Sequence, residues 1–166
     1  MLERIAIRDA NESDISSITN IYNDVIASSN AIYREESVPE SERLIWYLDK
    51  KTNNFPVIVA VLNDKVIGYG VFGAFRFGEG YNHTVEHSVH VASDHRGRGI
   101  GKQILERLIS LATEQQRRVM VAAIDSTNIG SIALHLKYGF VETARMPRVA
   151  QKKNELLDLV LMQKAL

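Results

Sequence analysis

The segment Thr84-Val85-Glu86-His87-Ser88-Val89-His90-Val91 is rich in β-formers. It passes through Ala92-Ser93-Asp94-His95 and meets Arg96-Gly97-Arg98-Gly99-Ile100-Gly101-Lys102. From Ile100 the apolar residues Ile104, Leu105, Leu108, Leu111 and Ala112 recur at helical spacing. A strand therefore runs into a glycine-rich turn that opens directly into an amphipathic helix. Glycines let the backbone turn tightly and bring successive N–H groups toward a ligand, and a helix N-terminus adds free donors and partial positive charge. Arg96, Arg98 and Lys102 put full charges at the same place, which suits a phosphate or pyrophosphate. Two familiar phosphate loops do not fit. A Walker loop needs glycine five residues before Gly101, where Arg96 stands, and Ser or Thr after Lys102, where Gln103 stands. A dinucleotide fingerprint needs Gly-x-Gly-x-x-Gly, whereas Gly97, Gly99 and Gly101 are evenly spaced.

Working outward, Arg4 to Arg8 alternates as a first strand. Asn11 or Ser13 is placed to cap a helix carrying Ile15, Ile18, Ile21, Tyr22, Val25 and Ile26. Pro39 suits the first turn of a second helix with Leu44, Ile45 and Leu48. Val57 to Leu62 and Val66 to Phe77 form a hairpin across Asn63-Asp64. After the glycine loop come a helix over Ile100 to Gln115, a buried strand Val119 to Ile124 and a helix Asn128 to Leu136. Gly139 is placed to end that last helix, and strands Phe140 to Ala144 and Leu156 to Met162 complete the series. The order β-α-α-β-β-β-α-β-α-β-β predicts a mixed α/β (α+β) sheet in one domain over residues 1–166. It is not the strict alternation of a doubly wound nucleotide fold.

Composition bounds the function classes. The chain has 166 residues, 45% hydrophobic and 24% charged, with 20 basic and 20 acidic side chains. A formal charge of zero argues against a general nucleic-acid binder, which needs a basic surface. With no cysteine, thiolate metal sites and cysteine nucleophiles are excluded. Met1-Leu2-Glu3-Arg4-Ile5 lacks the apolar core of a signal peptide, and Val57 to Leu62 is far short of the roughly 20 residues that span a bilayer. The expected compartment is the cytoplasm, without membrane or nucleic-acid partners.

Arg-Gly-Arg-Gly-Ile-Gly-Lys after a β-strand resembles the acetyl-CoA pyrophosphate loop of the GNAT superfamily of N-acetyltransferases. Asn128, Ser131 to His135 and Tyr138-Gly139-Phe140 resemble that superfamily's second signature. Tyr81 to Val91, together with Asn128, Ser131 and Leu134-His135, is similar to the phosphinothricin and methionine sulfoximine acetyltransferase subfamily. The resemblance spans essentially the whole chain. It implies the GNAT fold, a mixed and mostly antiparallel sheet flanked by helices, whose splayed central strands form the acetyl-CoA cleft. It also implies acetyl-CoA as co-substrate, no metal, a homodimer, and a small amino-acid-like acceptor such as phosphinothricin, methionine sulfoximine or methionine sulfone.

Each candidate residue has a role and a plainer reading. Glu86, flanked by valines in a central strand, is either salt-bridged or a general base whose pKa is raised by desolvation. The subfamily resemblance assigns it the base role. His135 stands where many of these enzymes carry a tyrosine that protonates the leaving thiolate, and Tyr138 is three residues on, so either is a candidate acid. Asn128 is a helix cap that by resemblance also bonds the pantetheine arm, whose amides pair with the backbone of Val89, His90 and Val91. The pyrophosphate falls to Arg96, Gly97, Arg98, Gly99, Ile100, Gly101 and Lys102. Phe75, Arg76 and Phe77 end a strand on the acceptor side, where the guanidinium grips a carboxylate or is merely solvated, and Thr84, Val85 and Glu86 complete that side. Tyr33 is a further, weaker acceptor-side candidate. Where the subfamily often has a late Trp, this chain reads Asn154 to Asp158. His83, His87 and His90 do not make a metal site, because on a strand the first two share a face and the third takes the other. Two rival readings are an acetylase of protein N-termini or polyamines, and an acetyl-CoA-binding module without turnover.

Overall fold

The computed structural model describes residues 4–166, so Met1-Leu2-Glu3 of the signal-peptide reading lie outside the described residues. One seven-stranded sheet runs through the molecule in the order β1-β2-β3-β4-β5-β7-β6. The strands are β1 (Ala6–Asp9), β2 (Val57–Leu62), β3 (Lys65–Ala74), β4 (Thr84–Val91), β5 (Val119–Asp125), β6 (Val141–Lys152) and β7 (Glu155–Ala165). The helices are α1 (Ile15–Ser28), α2 (Glu40–Thr52), α3 (Ile100–Glu114) and α4 (Ile129–Lys137). Neighbouring strands are antiparallel except β4 and β5, which run parallel. Among the described residues no helix is long and apolar enough to cross a membrane.

Each sheet face has its own apolar core. On one face Ile15, Ile18, Ile21 and Val25 of α1 and Tyr47 of α2 pack on Val57, Val59, Tyr69 and Val71. On the other, Ile100, Ile104, Leu105, Leu108 and Ala112 of α3 pack on Ile58, Phe72, Val85, Met120 and Phe140, and α4 adds Ile132 and Leu134. Both helices present residues at intervals of three and four, so one stripe faces the sheet. Gly70 shows how close α3 comes: a Cβ there would lie 2.3 Å from Cγ2 of Ile104.

Four boundaries differ from the sequence reading. β1 begins at Ala6, not Arg4, where its partner Val61 begins the pairing. Pro39 stands at the cap before α2, with extended ψ of 155°. β3 ends at Ala74, its last residue with a β4 partner (Val85), so Phe75, Arg76 and Phe77 belong to the bend that follows. β6 and β7 are far longer than expected. They meet at Lys153-Asn154, whose positive φ of 49° and 63° makes a two-residue hairpin turn. The exposed, polar face of β6 and Pro147 at a register shift hide that length from a periodicity reading.

Candidate active site

The central feature is a fork in the sheet. β4 pairs with β5 from Thr84↔Val119 to His87↔Ala122 and no further. β4 nevertheless stays paired with β3 out to Val91↔Gly68, and β5 with β7 out to Asp125↔Leu159. From Ser88 onward the two strands therefore part, leaving the inner backbone edge of Ser88 to Val91 without a strand partner. Ala123, in the middle of a central strand and just past the fork, is exposed.

The glycine loop lies at the end of the β4 arm. Gly97 and Gly99 hold φ of +74° and +76°, a left-handed conformation that a side chain resists. Gly99 caps α3 without a side-chain hydrogen bond, so the first-turn amides keep their donors outward. The cations around them are steadied by neighbours. Arg96 donates from Nε to the Val91 carbonyl at 3.1 Å, Arg98 approaches His95 Nδ1 at 3.1 Å, and Lys102 lies 3.9 Å from Glu106. Amide donors ringed by positive charge are suited to an anion.

Alternation along β4 divides its side chains. Glu86, Ser88 and His90 point to the α1–α2 face, opposite Gly73, Val71 and Tyr69 of β3. There, a cavity of about 220 Å³ is lined by Trp46, Lys50, Val71, Gly73, Ala74, Glu86 and Ser88. Burial pushes the Glu86 carboxyl above its ordinary pKa, while the charge of Lys50 pulls it partly back. Val85, His87, Val89 and Val91 point to the α3–α4 face. His87 and His135 are buried there and meet Nε2 to Nε2 at 3.0 Å. His87 Nδ1 lies 3.0 Å from the Val121 carbonyl oxygen and His135 Nδ1 2.7 Å from the Ser131 carbonyl oxygen; in neutral rings only one of the two donates there, while the other ring gives its proton to the Nε2–Nε2 contact. Burial, and then the charge of its partner, push His87 down to about 3, and burial lowers His135. The pair joins β4, β5 and α4 at the point where the fork begins.

Other expected residues are placed as follows. Asn128 caps α4, its side chain accepting from the Ser131 amide at 3.1 Å. Tyr138 donates to Glu106 of α3, a bond that pushes the phenol up to about 12. His90 packs on Tyr69 with ring centres 5.4 Å apart, so the three β4-side histidines diverge. Three acceptor-side expectations need correction. Val85 is fully buried under α3 and cannot line the Glu86 cavity. Arg76 lies exposed over Phe75, 5.5 Å from its ring, and does not line the cavity either. Phe77 is 102% exposed and walls nothing within this chain. Phe75 packs on Tyr81, and Thr84 shares the Glu86 face two residues away.

Two contacts escaped the sequence reading. Tyr33 donates to Asp125 at 2.8 Å, tying the α1–α2 loop to the end of β5. Lys152 is buried and donates to the carbonyls of Ile26, Ser29 and Ile32 at 2.7, 2.7 and 3.0 Å, capping α1 and holding the same loop. Lys50, which the sequence does not single out, enters the Glu86 cavity from α2.

Residues 18–140 match the family model described as Acetyltransferase (GNAT) family. An L-methionine sulfoximine/L-methionine sulfone acetyltransferase of Salmonella typhimurium is 42% identical over 159 residues, covering 96% of this chain and 93% of that one. Among solved structures, a ribosomal-protein-alanine N-acetyltransferase from Brucella melitensis superposes with a TM-score of 0.95 at 42% identity, over 97% of this chain and 99% of that one. A GNAT superfamily phosphinothricin acetyltransferase from Sinorhizobium meliloti, in complex with acetyl-CoA, gives a TM-score of 0.94 at 34% identity, over 98% and 88% of the two chains.

Proposed function

Since the chain belongs to the GNAT acetyltransferase family and is an acetyl-CoA-dependent N-acetyltransferase, we propose that it acetylates the primary amine of a small amino-acid-like acceptor, with Glu86 as general base. One acetyltransferase domain over residues 1–166 does this. The carrying observation is the Glu86 carboxyl, half-buried on the wall of a cavity beside the fork, with a pKa raised toward the range where a base is useful.

Acetyl-CoA supplies an activated acetyl thioester, and the donor set fits it. The free β4 edge at Val89, His90 and Val91 suits the pantetheine amides, and Asn128 faces the same arm. Arg96, Gly97, Arg98, Gly99, Ile100, Gly101 and Lys102 offer amides and cations to the pyrophosphate. Glu86 takes a proton from the acceptor's ammonium, the freed nitrogen bonds the acetyl carbon and gives up a second proton to water, the C–S bond breaks, and the thiolate takes up a proton. We assign that last proton to the α4 end that carries His135 and Tyr138. The ring nitrogens of His135 are engaged by His87 and Ser131, and the Tyr138 hydroxyl by Glu106, so either donor must exchange a hydrogen bond to act.

The proposed acceptors are methionine sulfoximine, methionine sulfone and phosphinothricin, the substrates named for the Salmonella and Sinorhizobium proteins. The test is thiol release from acetyl-CoA with these three, spermidine and a peptide with a free N-terminus, each repeated with Glu86→Gln. Turnover on the amino acids that collapses in the variant is the expected result. The name of the Brucella protein favours a second reading, a protein N-terminal alanine, which turnover on the peptide alone would establish. Binding of acetyl-CoA with no thiol release on any amine would leave a non-catalytic module.

We further propose a homodimer, supported by exposed Val141, Met146, Val149 and Leu156 on the β6–β7 hairpin at the sheet edge. Light scattering tests it. The proposed compartment is the cytoplasm, since the reaction consumes acetyl-CoA.

A further inference from the structure

The cavity beside the fork holds two opposite charges that do not touch. Glu86 reaches it from β4 and Lys50 from the last turn of α2. Among the described residues neither forms a hydrogen bond or an ion pair, although both line one space of about 220 Å³ and the charge of Lys50 acts on the Glu86 carboxyl. The Lys50 ammonium rests over the backbone of Gly73, the β3 residue paired with Glu86. A Cβ on Gly73 would stand 2.5 Å from Nζ. Glycine at this position therefore leaves the ammonium room on the cavity floor. The ammonium lies 5.6 Å from the centre of the Phe55 ring.

Opposite charges that line one cavity without touching leave room between them for a group carrying both charges. An α-amino acid has the matching form, an ammonium and a carboxylate on one carbon. With the ammonium against Glu86, the carboxylate falls on the Lys50 side. Trp46 and Val71 offer apolar wall to the rest of the molecule. The residue expected from sequence for this task, Arg76, is on the exposed bend beyond β3.

We propose that Lys50 receives the carboxylate of the acceptor, so that Lys50 and Glu86 together select α-amino acids over polyamines and simple amines. This rests on the reading of Glu86 as the base. A diamine or polyamine brings a second cation to Lys50 and is repelled. An amine without the carboxylate leaves the lysine unpaired and forgoes a charge-assisted hydrogen bond.

The experiment compares methionine sulfone with its decarboxylated analogue, 3-(methylsulfonyl)propylamine, on the wild type, Lys50→Met and Lys50→Arg. Lys50→Met should raise KM for methionine sulfone roughly tenfold to a hundredfold, the loss of a hydrogen bond to a charged group. KM for the decarboxylated amine and calorimetric affinity for acetyl-CoA should hold, and Lys50→Arg should recover most of the loss on the amino acid. An equal rise on both acceptors would make Lys50 a purely structural residue, and no rise on either would make it a solvated helix lysine. Either result overturns the assignment while leaving Glu86 as base. Failure of the wild type to acetylate any amino acid, with turnover on the decarboxylated amine or a peptide, would instead overturn the acceptor class on which the assignment rests.

Discussion

Glu86 and His87 are consecutive residues whose surroundings differ almost completely. The Glu86 side chain faces an open cavity, has no hydrogen-bond partner among the described residues and shares the space with the Lys50 ammonium. His87 faces a packed core and is bonded at both ring nitrogens, to Val121 and His135. One peptide unit separates a group left reactive from a group tied down, because successive side chains of a strand point to opposite faces. The fork turns this alternation to use. Its opening frees the inner edge of β4 beyond His87, and the histidine pair fastens β4, β5 and α4 where the opening starts.

The largest expected effect breaks the reactive side of this contrast. Glu86→Gln should lower kcat/KM for amino-acid acceptors by about 10²–10⁴-fold, the usual contribution of a positioned base. In the wild type the acid limb of kcat/KM should lie above the ordinary carboxylate range, since burial favours the protonated form. Stability should move the other way. A carboxyl whose folded pKa is raised supports the fold below its unfolded pKa and loses that support as pH rises through the folded value. At neutral pH the variant should therefore melt slightly higher than the wild type in calorimetry, and an equal or lower melting temperature would argue that Glu86 is held by favourable contacts.

The packed side is sharpened by pH. His87→Ala leaves a cavity and an unpaired Val121 carbonyl, and should cost about 2–3 kcal/mol in chemical denaturation. The His87 pKa is depressed from 6.5 to about 3, so its contribution is present above 6.5 and lost as pH falls toward 3. Between those limits the wild type should lose stability with falling pH more steeply than His87→Ala. Parallel curves would show that the histidine pair takes up protons without penalty, contrary to what its burial implies.

How much of this was legible in the sequence depended on whether the signal was local. Thr84–Val91 was read with its true ends, because a β-rich run ends at a glycine loop. The Asn63-Asp64 hairpin turn was equally plain, and both residues take positive φ. Glu86 and the glycine loop could be singled out as candidates because their chemistry sits in one stretch. Phe75 to Phe77 misled, since aromatic residues suit a strand but here the pairing of β3 with β4 stops at Ala74↔Val85. Lys50 and Lys152 carried no local signal. Lys50 gains a role only when α2 lies over Gly73, and Lys152 only when β6 reaches carbonyls more than a hundred residues earlier in the chain. His87 and His135 were each visible, but their contact is a product of the packing of α4 on β4.

Arg76→Ala is the smallest expected effect and the cleanest check on how the sheet divides its faces. Before the fold was known, Arg76 was the natural partner for an acceptor carboxylate, a guanidinium between two phenylalanines. In the structure it follows the end of β3, lies exposed over Phe75 and lines no part of the Glu86 cavity. Its removal should change KM for methionine sulfone by no more than about twofold, the span of a surface substitution. A tenfold rise specific to carboxylate-bearing acceptors would mean that the bend after β3 folds over the cavity when an acceptor binds. The contrast between the two faces of β4 would then hold for the free enzyme alone, and the carboxylate site would be assembled by the substrate rather than preformed by Lys50 over Gly73.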